Sequence, residues 1–279
     1  MASDREQQLR AYVEYFRDLG VHEFYRNGEP PAAAAAISVA VASEVAAVAP
    51  VVVAAAPVVD TTFLEPPIAK LVSFDDLAAL PSSRVAVADR GAALRALQEE
   101  IGDCTRCPLA YAGRRKVVFG DGDAAARLMF VGEGPGADED ESGVPFVGKA
   151  GQLLNNMINA MGLKREQVYI ANVVKCRPPA NRVPEPVEAN TCDPFLLRQM
   201  DIVQPEVVVA LGATAAMYLL GVKQSLASLR GQWHRCRGAK LAVTYHPAFL
   251  LRDPRQKGEA WKDLQMVMAE LGLKAPGKG

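Results

Sequence analysis

The period of the apolar positions changes along the chain, and the changes divide it into three regions. Residues 5–19 place Leu9, Val13, Phe16 and Leu19 at helical spacing ahead of Gly20, which predicts one short amphipathic helix. From Pro30 to Asp60 the pattern dissolves into Ala, Val and Pro, the composition of a low-complexity tether rather than of a packed core. Glu44, Pro50 and Pro57 interrupt that apolar run and alanine gains little on transfer to lipid, so it is not read as a membrane span. Periodicity returns near residue 86. The expected organisation is therefore an N-terminal helix in 1–28, an Ala/Val/Pro-rich linker without fixed structure in 29–85, and one folded domain in 86–279.

Within that domain, short apolar runs alternate with helical patterns. Strands are expected at 128–132, 168–174, 207–211 and 241–244, and helices at 91–101, 150–161, 186–203, 213–220 and 259–271. This alternation predicts a three-layer α/β/α sandwich around a central, mostly parallel four-stranded sheet, with the N-terminal extension outside it. Ligands of such sheets bind at the carboxyl ends of the strands. Gly132-Glu-Gly-Pro-Gly136, Asn172, Gly212 and Tyr245-His246-Pro247 follow or end four strands, so they are expected to converge on one pocket.

Charge alters this picture little. The 31 basic and 32 acidic side chains leave a net charge of -1, which neither implies nor excludes a nucleic-acid partner. The opening Met-Ala-Ser-Asp-Arg-Glu has no basic region leading into an apolar run, so no secretory signal is read there and a reducing, cytoplasmic compartment is expected. Cysteine says more. Cys104 and Cys107 stand as Cys-x-x-Cys, with Cys176 and Cys192 further on, and four soft thiolates in such an arrangement suit zinc or an iron-sulfur cluster. The fifth, Cys236, lies among Arg235, Arg237 and Lys240 without a catalytic neighbour in sequence and is read as a spectator.

The glycine-rich segment after the first strand lacks the spacing of a dinucleotide fingerprint and the Gly-Lys-Ser/Thr of a P-loop. Its continuation through the acidic run 138–141 into Gly143-Val-Pro-Phe146-Val-Gly-Lys149-Ala-Gly151-Gln-Leu-Leu154 resembles the first motif of the family 4 uracil-DNA glycosylases, iron-sulfur enzymes of DNA repair. The resemblance extends to Asn172-Val-Val-Lys175-Cys176-Arg177-Pro-Pro, to Cys192-Asp-Pro-Phe-Leu, and to Thr244-Tyr-His246-Pro-Ala-Phe-Leu-Leu-Arg252. It leaves the first 85 residues unmatched.

The resemblance implies an enzyme that flips uracil out of single- or double-stranded DNA and hydrolyses its N-glycosidic bond, leaving an abasic site. Phe146 would stack on the base, Asn172 would read N3–H and O4, and His246 would donate to O2 as negative charge builds there. Gly132, Glu133 and Gly134 would line the pocket, with Glu133, or Glu139 as second candidate, orienting water. Cys104, Cys107, Cys176 and Cys192 would hold a four-iron, four-sulfur cluster. Lys149, Lys175, Arg177, Arg182 and Arg252 would grip phosphates, and Leu250 or Leu251 would wedge into the gap left by the base. A monomer in the bacterial cytosol, associated with the nucleoid, is expected, with the N-terminal extension a candidate docking segment for a replication or repair protein. The rival reading is a catalytically inactive or covalently trapping uracil-DNA binder. The trapping type uses a histidine in an extra basic loop, and nothing between Cys176 and Cys192 supplies one.

Overall fold

The computed structural model describes residues 71–274. Among these, six strands form one sheet in the order β1-β3-β2-β4-β6-β5. They are β1 (Asp121–Gly122), β2 (Leu128–Gly132), β3 (Tyr169–Asn172), β4 (Val207–Leu211), β5 (His234–Cys236) and β6 (Ala239–Thr244). The four expected strands are the parallel centre, β3-β2-β4-β6, and the two short edges run antiparallel to it. Neither edge was legible in the pattern. β1 has two residues, and β5 folds back on β6 through Arg237 and Gly238, both at positive φ (52° and 79°), the backbone of a tight two-residue hairpin.

Every residue of β2, β3 and β4 is buried, as expected of strands covered on both sides. Their period of two deals side chains to opposite faces. Met129, Val131, Ala171, Val208, Ala210, Leu241 and Val243 pack with α2 (Val87–Ile101), α5 (Pro186–Val203), α6 (Ala213–Leu220) and α7 (Leu226–Leu229). Leu128, Phe130, Ile170, Val207, Val209, Leu211 and Ala242 pack with α4 (Lys149–Ala160) and α9 (Lys257–Leu271). The result is the expected three-layer α/β/α sandwich.

The start of this packed unit corrects the expected boundary at residue 86. Helix α1 (Phe74–Leu77), capped by Ser73, inserts Phe74 fully into the core. The Arg237 guanidinium donates to the carbonyls of Phe74, Ala78 and Ala79 and pairs with Asp201 at 2.6 Å, while the Arg237 N–H donates to Asp75 Oδ1 at 2.7 Å. Residues 71–85 therefore belong to the fold. A single buried phenylalanine and one distant arginine leave no periodic trace, which is why they read as linker. The N-terminal helix and the linker up to residue 70 lie outside the described residues.

Cys236 is wholly buried, and burial pushes its thiol pKa upward, consistent with a spectator. No helix among the described residues is long and apolar enough to cross a membrane.

Candidate active site

A cavity of about 600 Å³ opens at the carboxyl ends of the parallel strands. Its walls come from the loop after β2 and α3 (Ala137–Ser142), from the end of β3, from the proline-rich loop 178–183, and from the segment after β6 with α8 (Pro247–Arg252). Glu133, Gly134, Glu139, Phe146, Asn172 and His246 all line it, so residues separated by more than a hundred positions share one space. Gly132 lies behind the wall.

Phe146 and Asn172 meet across Gly132. A Cβ on Gly132 would fall on Asn172 Oδ1 and 2.5 Å from Phe146 Cζ, so only glycine lets this strand end carry both side chains. Phe146 adopts φ 53°, in the left-handed region that a bulky L residue enters only when its surroundings impose it. Asn172 is buried, and its Oδ1 has no hydrogen-bond partner. An unpaired buried amide oxygen costs roughly 1–3 kcal/mol, so this atom is set to accept from a donor entering the cavity that Asn172 lines.

His246 precedes α8 and caps it: its Nδ1 accepts the Ala248 N–H at 3.1 Å. With Nδ1 committed as acceptor, a neutral ring must carry its proton on Nε2, which makes that atom a donor. Burial, reinforced by the positive charge of Arg252 and opposed by Glu139, lowers the imidazole pKa to about 4, so the ring is neutral near pH 7. Its centroid stands 5.7 Å from that of Phe146. The strand end that delivers it is braced. Tyr245 stacks with the Phe249 ring, their centroids 5.1 Å apart, the Arg230 guanidinium lies 4.1 Å from the Tyr245 ring centroid, and Asp263 accepts from both Arg230 Nε and the Thr244 hydroxyl at 2.7 Å.

The two candidate carboxylates separate into different roles. Glu139 Oε2 accepts the Gly136 N–H at 3.1 Å, and its Oε1 accepts the N–H groups of Val147 and Gly148, both at 2.9 Å. Both oxygens are thus occupied in tying α3 to the loop that carries Phe146. This corrects the reading of Glu139 as a group free to orient water. Glu133 faces the cavity, and burial raises its pKa, opposed by the Thr214 hydroxyl.

The basic residues also sort themselves. Lys149 and Arg252 are exposed on the cavity rim. Arg177 is partly exposed and donates to Asn181 Oδ1 at 2.8 Å. Arg182 lines the cavity while pairing with Glu188 through both terminal nitrogens, at 2.8 and 2.6 Å.

Lys175 cannot grip phosphate, because it is 0% exposed. Its Nζ donates to the Asn172 carbonyl at 2.9 Å and to Gln199 Oε1 at 2.5 Å, an internal tie to the backbone of Asn172. Leu250 is likewise withdrawn as a wedge: it is 1% exposed and packed in the core, whereas its neighbour Leu251 is 43% exposed. The helical turn of α8 points one inward and the other outward.

Cys176 and Cys192 belong to the core that packs α2, α5 and α6 on the sheet, and Cys104 and Cys107 pack against it. Burial pushes the Cys176 and Cys192 thiols above their ordinary pKa, opposed by Arg114 at Cys176 and by Lys175 at Cys192. Among the described residues, no three His, Cys, Asp or Glu side chains close on a single-ion position. The donor set nonetheless suits a metal-sulfur group. It offers four thiols, with Arg114 Nη1 donating to Cys176 Sγ and the Lys175 N–H to Cys192 Sγ, both at 3.3 Å, as donors do around thiolate-held clusters.

Arg165, which the sequence reading passed over, is also tied to the site: it donates to the carbonyls of Pro145 (2.6 Å) and Phe146 (3.1 Å). Nothing in local spacing signals so distant a contact.

Residues 119–265 match the description of the uracil DNA glycosylase superfamily. The chain is 48% identical over 161 residues to a type-4 uracil-DNA glycosylase of Thermotoga maritima, covering 56% of this chain and 82% of that protein. It is 45% identical over 181 residues to the type-4 enzyme of Pyrobaculum aerophilum, covering 62% of this chain and 92% of that one. With the type-4 enzyme of Archaeoglobus fulgidus it shares 38% over 185 residues, 63% of this chain and 92% of the relative. With its cavity at the sheet's carboxyl edge and a match of this length, the chain belongs to the uracil-DNA glycosylase superfamily and, within it, to the type-4 enzymes.

Proposed function

We propose that the chain excises uracil from DNA in base excision repair, with the cavity holding an extruded uracil between Phe146, Asn172 and His246. The observation that carries this reading is the unpartnered Asn172 Oδ1, buried in the wall beside an aromatic ring and a neutral imidazole. A carboxamide offers one acceptor and one donor. Uracil presents the complement, N3–H and O4, while cytosine presents an acceptor and an amine and leaves both amide atoms mismatched.

Phe146 takes the face of the base. As the bond from C1′ to N1 breaks, its electron pair passes to the uracil and the sugar gains oxocarbenium character. The Nε2–H of His246 donates to O2, where the negative charge collects, and the ring gives up no proton because it enters neutral. Glu133, as a carboxylate, steadies the cation and orients the water whose oxygen attacks C1′; it takes the proton that the water sheds and returns it to the departing uracil anion, leaving an abasic sugar and free uracil. Lys149, Arg177 and Arg252 hold phosphates, Arg182 contributes from its pair with Glu188, and Leu251 replaces Leu250 as the wedge.

The four cysteines would hold a four-iron, four-sulfur cluster. When bound it supplies structural closure, pinning the loop between Cys176 and Cys192 against the core. The protein acts as a cytoplasmic monomer, and residues 1–70 serve to engage a replication or repair partner.

The direct test measures uracil release from uracil-containing oligonucleotides, with cytosine-containing strands as control, for the wild type and Asn172→Asp. Release of uracil alone, lost or unselective in the variant, supports the reading. Unchanged selectivity in Asn172→Asp contradicts it.

A further inference from the structure

Arg165 opens the short turn Arg165–Gln167 between α4 and β3, and its guanidinium is directed at the loop before α4. Its Nη1 donates to the Phe146 carbonyl and to Asn155 Oδ1, each at 3.1 Å. Its Nη2 donates to the Pro145 carbonyl at 2.6 Å and, with Nε, reaches Asp121 Oδ2 at 3.3 and 3.4 Å. One planar fork thus joins the sheet edge, helix α4 and two consecutive carbonyls of the loop. These carbonyls flank the residue whose backbone is forced to φ 53°.

A phenylalanine does not hold that conformation unaided. Gly151 supports it from the other side, since a Cβ there would land on the Phe146 carbonyl. Arg165 supplies the hydrogen bonds and Gly151 the room. The first costs an arginine kept largely out of solvent, its side chain 18% exposed. A lysine could not substitute, because one ammonium cannot reach two adjacent carbonyls, an amide oxygen and a carboxylate in a single plane.

We propose that Arg165 is a positioning residue for the Phe146 ring: by fixing the carbonyls of Pro145 and Phe146 it sets the plane against which the extruded pyrimidine stacks. This rests on the reading of Phe146 as the stacking face. Arg165 is not among the residues lining the cavity, so its effect on a bound base passes through Phe146.

A double-mutant cycle tests this on the full, metal-loaded protein. Wild type, Phe146→Leu, Arg165→Met and the double variant are compared by single-turnover release from a uracil oligonucleotide, by the Kd of free uracil, and by Tm. Phe146→Leu and Arg165→Met are each expected to slow release and weaken uracil binding by roughly tenfold or more. The double variant is expected to be no worse than Phe146→Leu. Arg165→Lys should fail to restore uracil affinity, and it carries the same cycle if Arg165→Met does not fold.

If the two losses multiply in the double variant, Arg165 acts independently of the ring and the proposal is overturned while the stacking reading survives. If Phe146→Leu alone changes neither release nor uracil affinity, the stacking reading falls and the proposal falls with it.

Discussion

The Ala248 N–H donates to His246 Nδ1 at 3.1 Å, and this one hydrogen bond decides how the imidazole can act. It leaves Nε2 as the protonated atom of a neutral ring, and burial holds the pKa at about 4. A neutral donor does not switch with pH near neutrality. His246→Gln is therefore expected to lose about 10²–10³ in kcat. That loss should stay constant from about pH 5.5 to 8, checked by single-turnover rates across the range.

The same pKa has a consequence for stability. The folded value lies below the ordinary 6.5, so the unfolded chain binds the extra proton first as pH falls. The contribution is full above about pH 6.5 and is lost as pH drops through about 4. Tm of the wild type should accordingly fall over this window by more than that of His246→Gln.

Gly132→Ala should separate fold from function. The backbone at 132 is ordinary β-strand, so alanine imposes no conformational strain, but its Cβ would occupy the space shared by Asn172 Oδ1 and Phe146 Cζ. The expected outcome is a folded protein with a modest drop in Tm, roughly the few degrees of an overpacked core site, and loss of most uracil release. Tm and excision rate measured on one preparation check it.

Glu139 and Glu133 should fail in different ways. Glu139→Ala removes acceptors from three backbone N–H groups and is expected to lower Tm together with activity. Glu133→Gln should lower kcat with little change in Tm. If Glu139→Ala left Tm unchanged while abolishing the chemical step, the division of roles drawn from these bonds would be wrong.

The four cysteines give a spectroscopic expectation. A purified protein with broad visible absorption that bleaches on reduction, and iron near four per chain, is the result expected of an iron-sulfur cluster. Cys192→Ala should lose colour and iron. A colourless wild type with one zinc per chain would refute the cluster.

Much of this architecture was legible in the sequence because burial is periodic. β2 and β4, with every residue buried, and α5 and α6 lie at the expected residues. Asn172 and His246 could be expected on one cavity because parallel sheets bring strand ends together, whereas Phe146, which lies beyond a strand end, was indicated only by the family resemblance. What escaped depends on contacts with no local period. Lys175 sits among motif residues that look solvent-facing, yet the chain leaving β3 turns it inward onto Gln199. Leu250 and Leu251 are adjacent and chemically alike, and only the turn of α8 distinguishes them. Glu139 looked like one more charge in an acidic run until its three backbone partners appeared.

The account's central claim is tested most directly by a crystal structure of the protein with free uracil. It predicts the ring lying on Phe146, with N3–H and O4 on the Asn172 carboxamide and O2 within hydrogen-bond distance of His246 Nε2. Uracil bound in this cavity with Asn172 Oδ1 still unpaired, or bound elsewhere on the molecule, would contradict it.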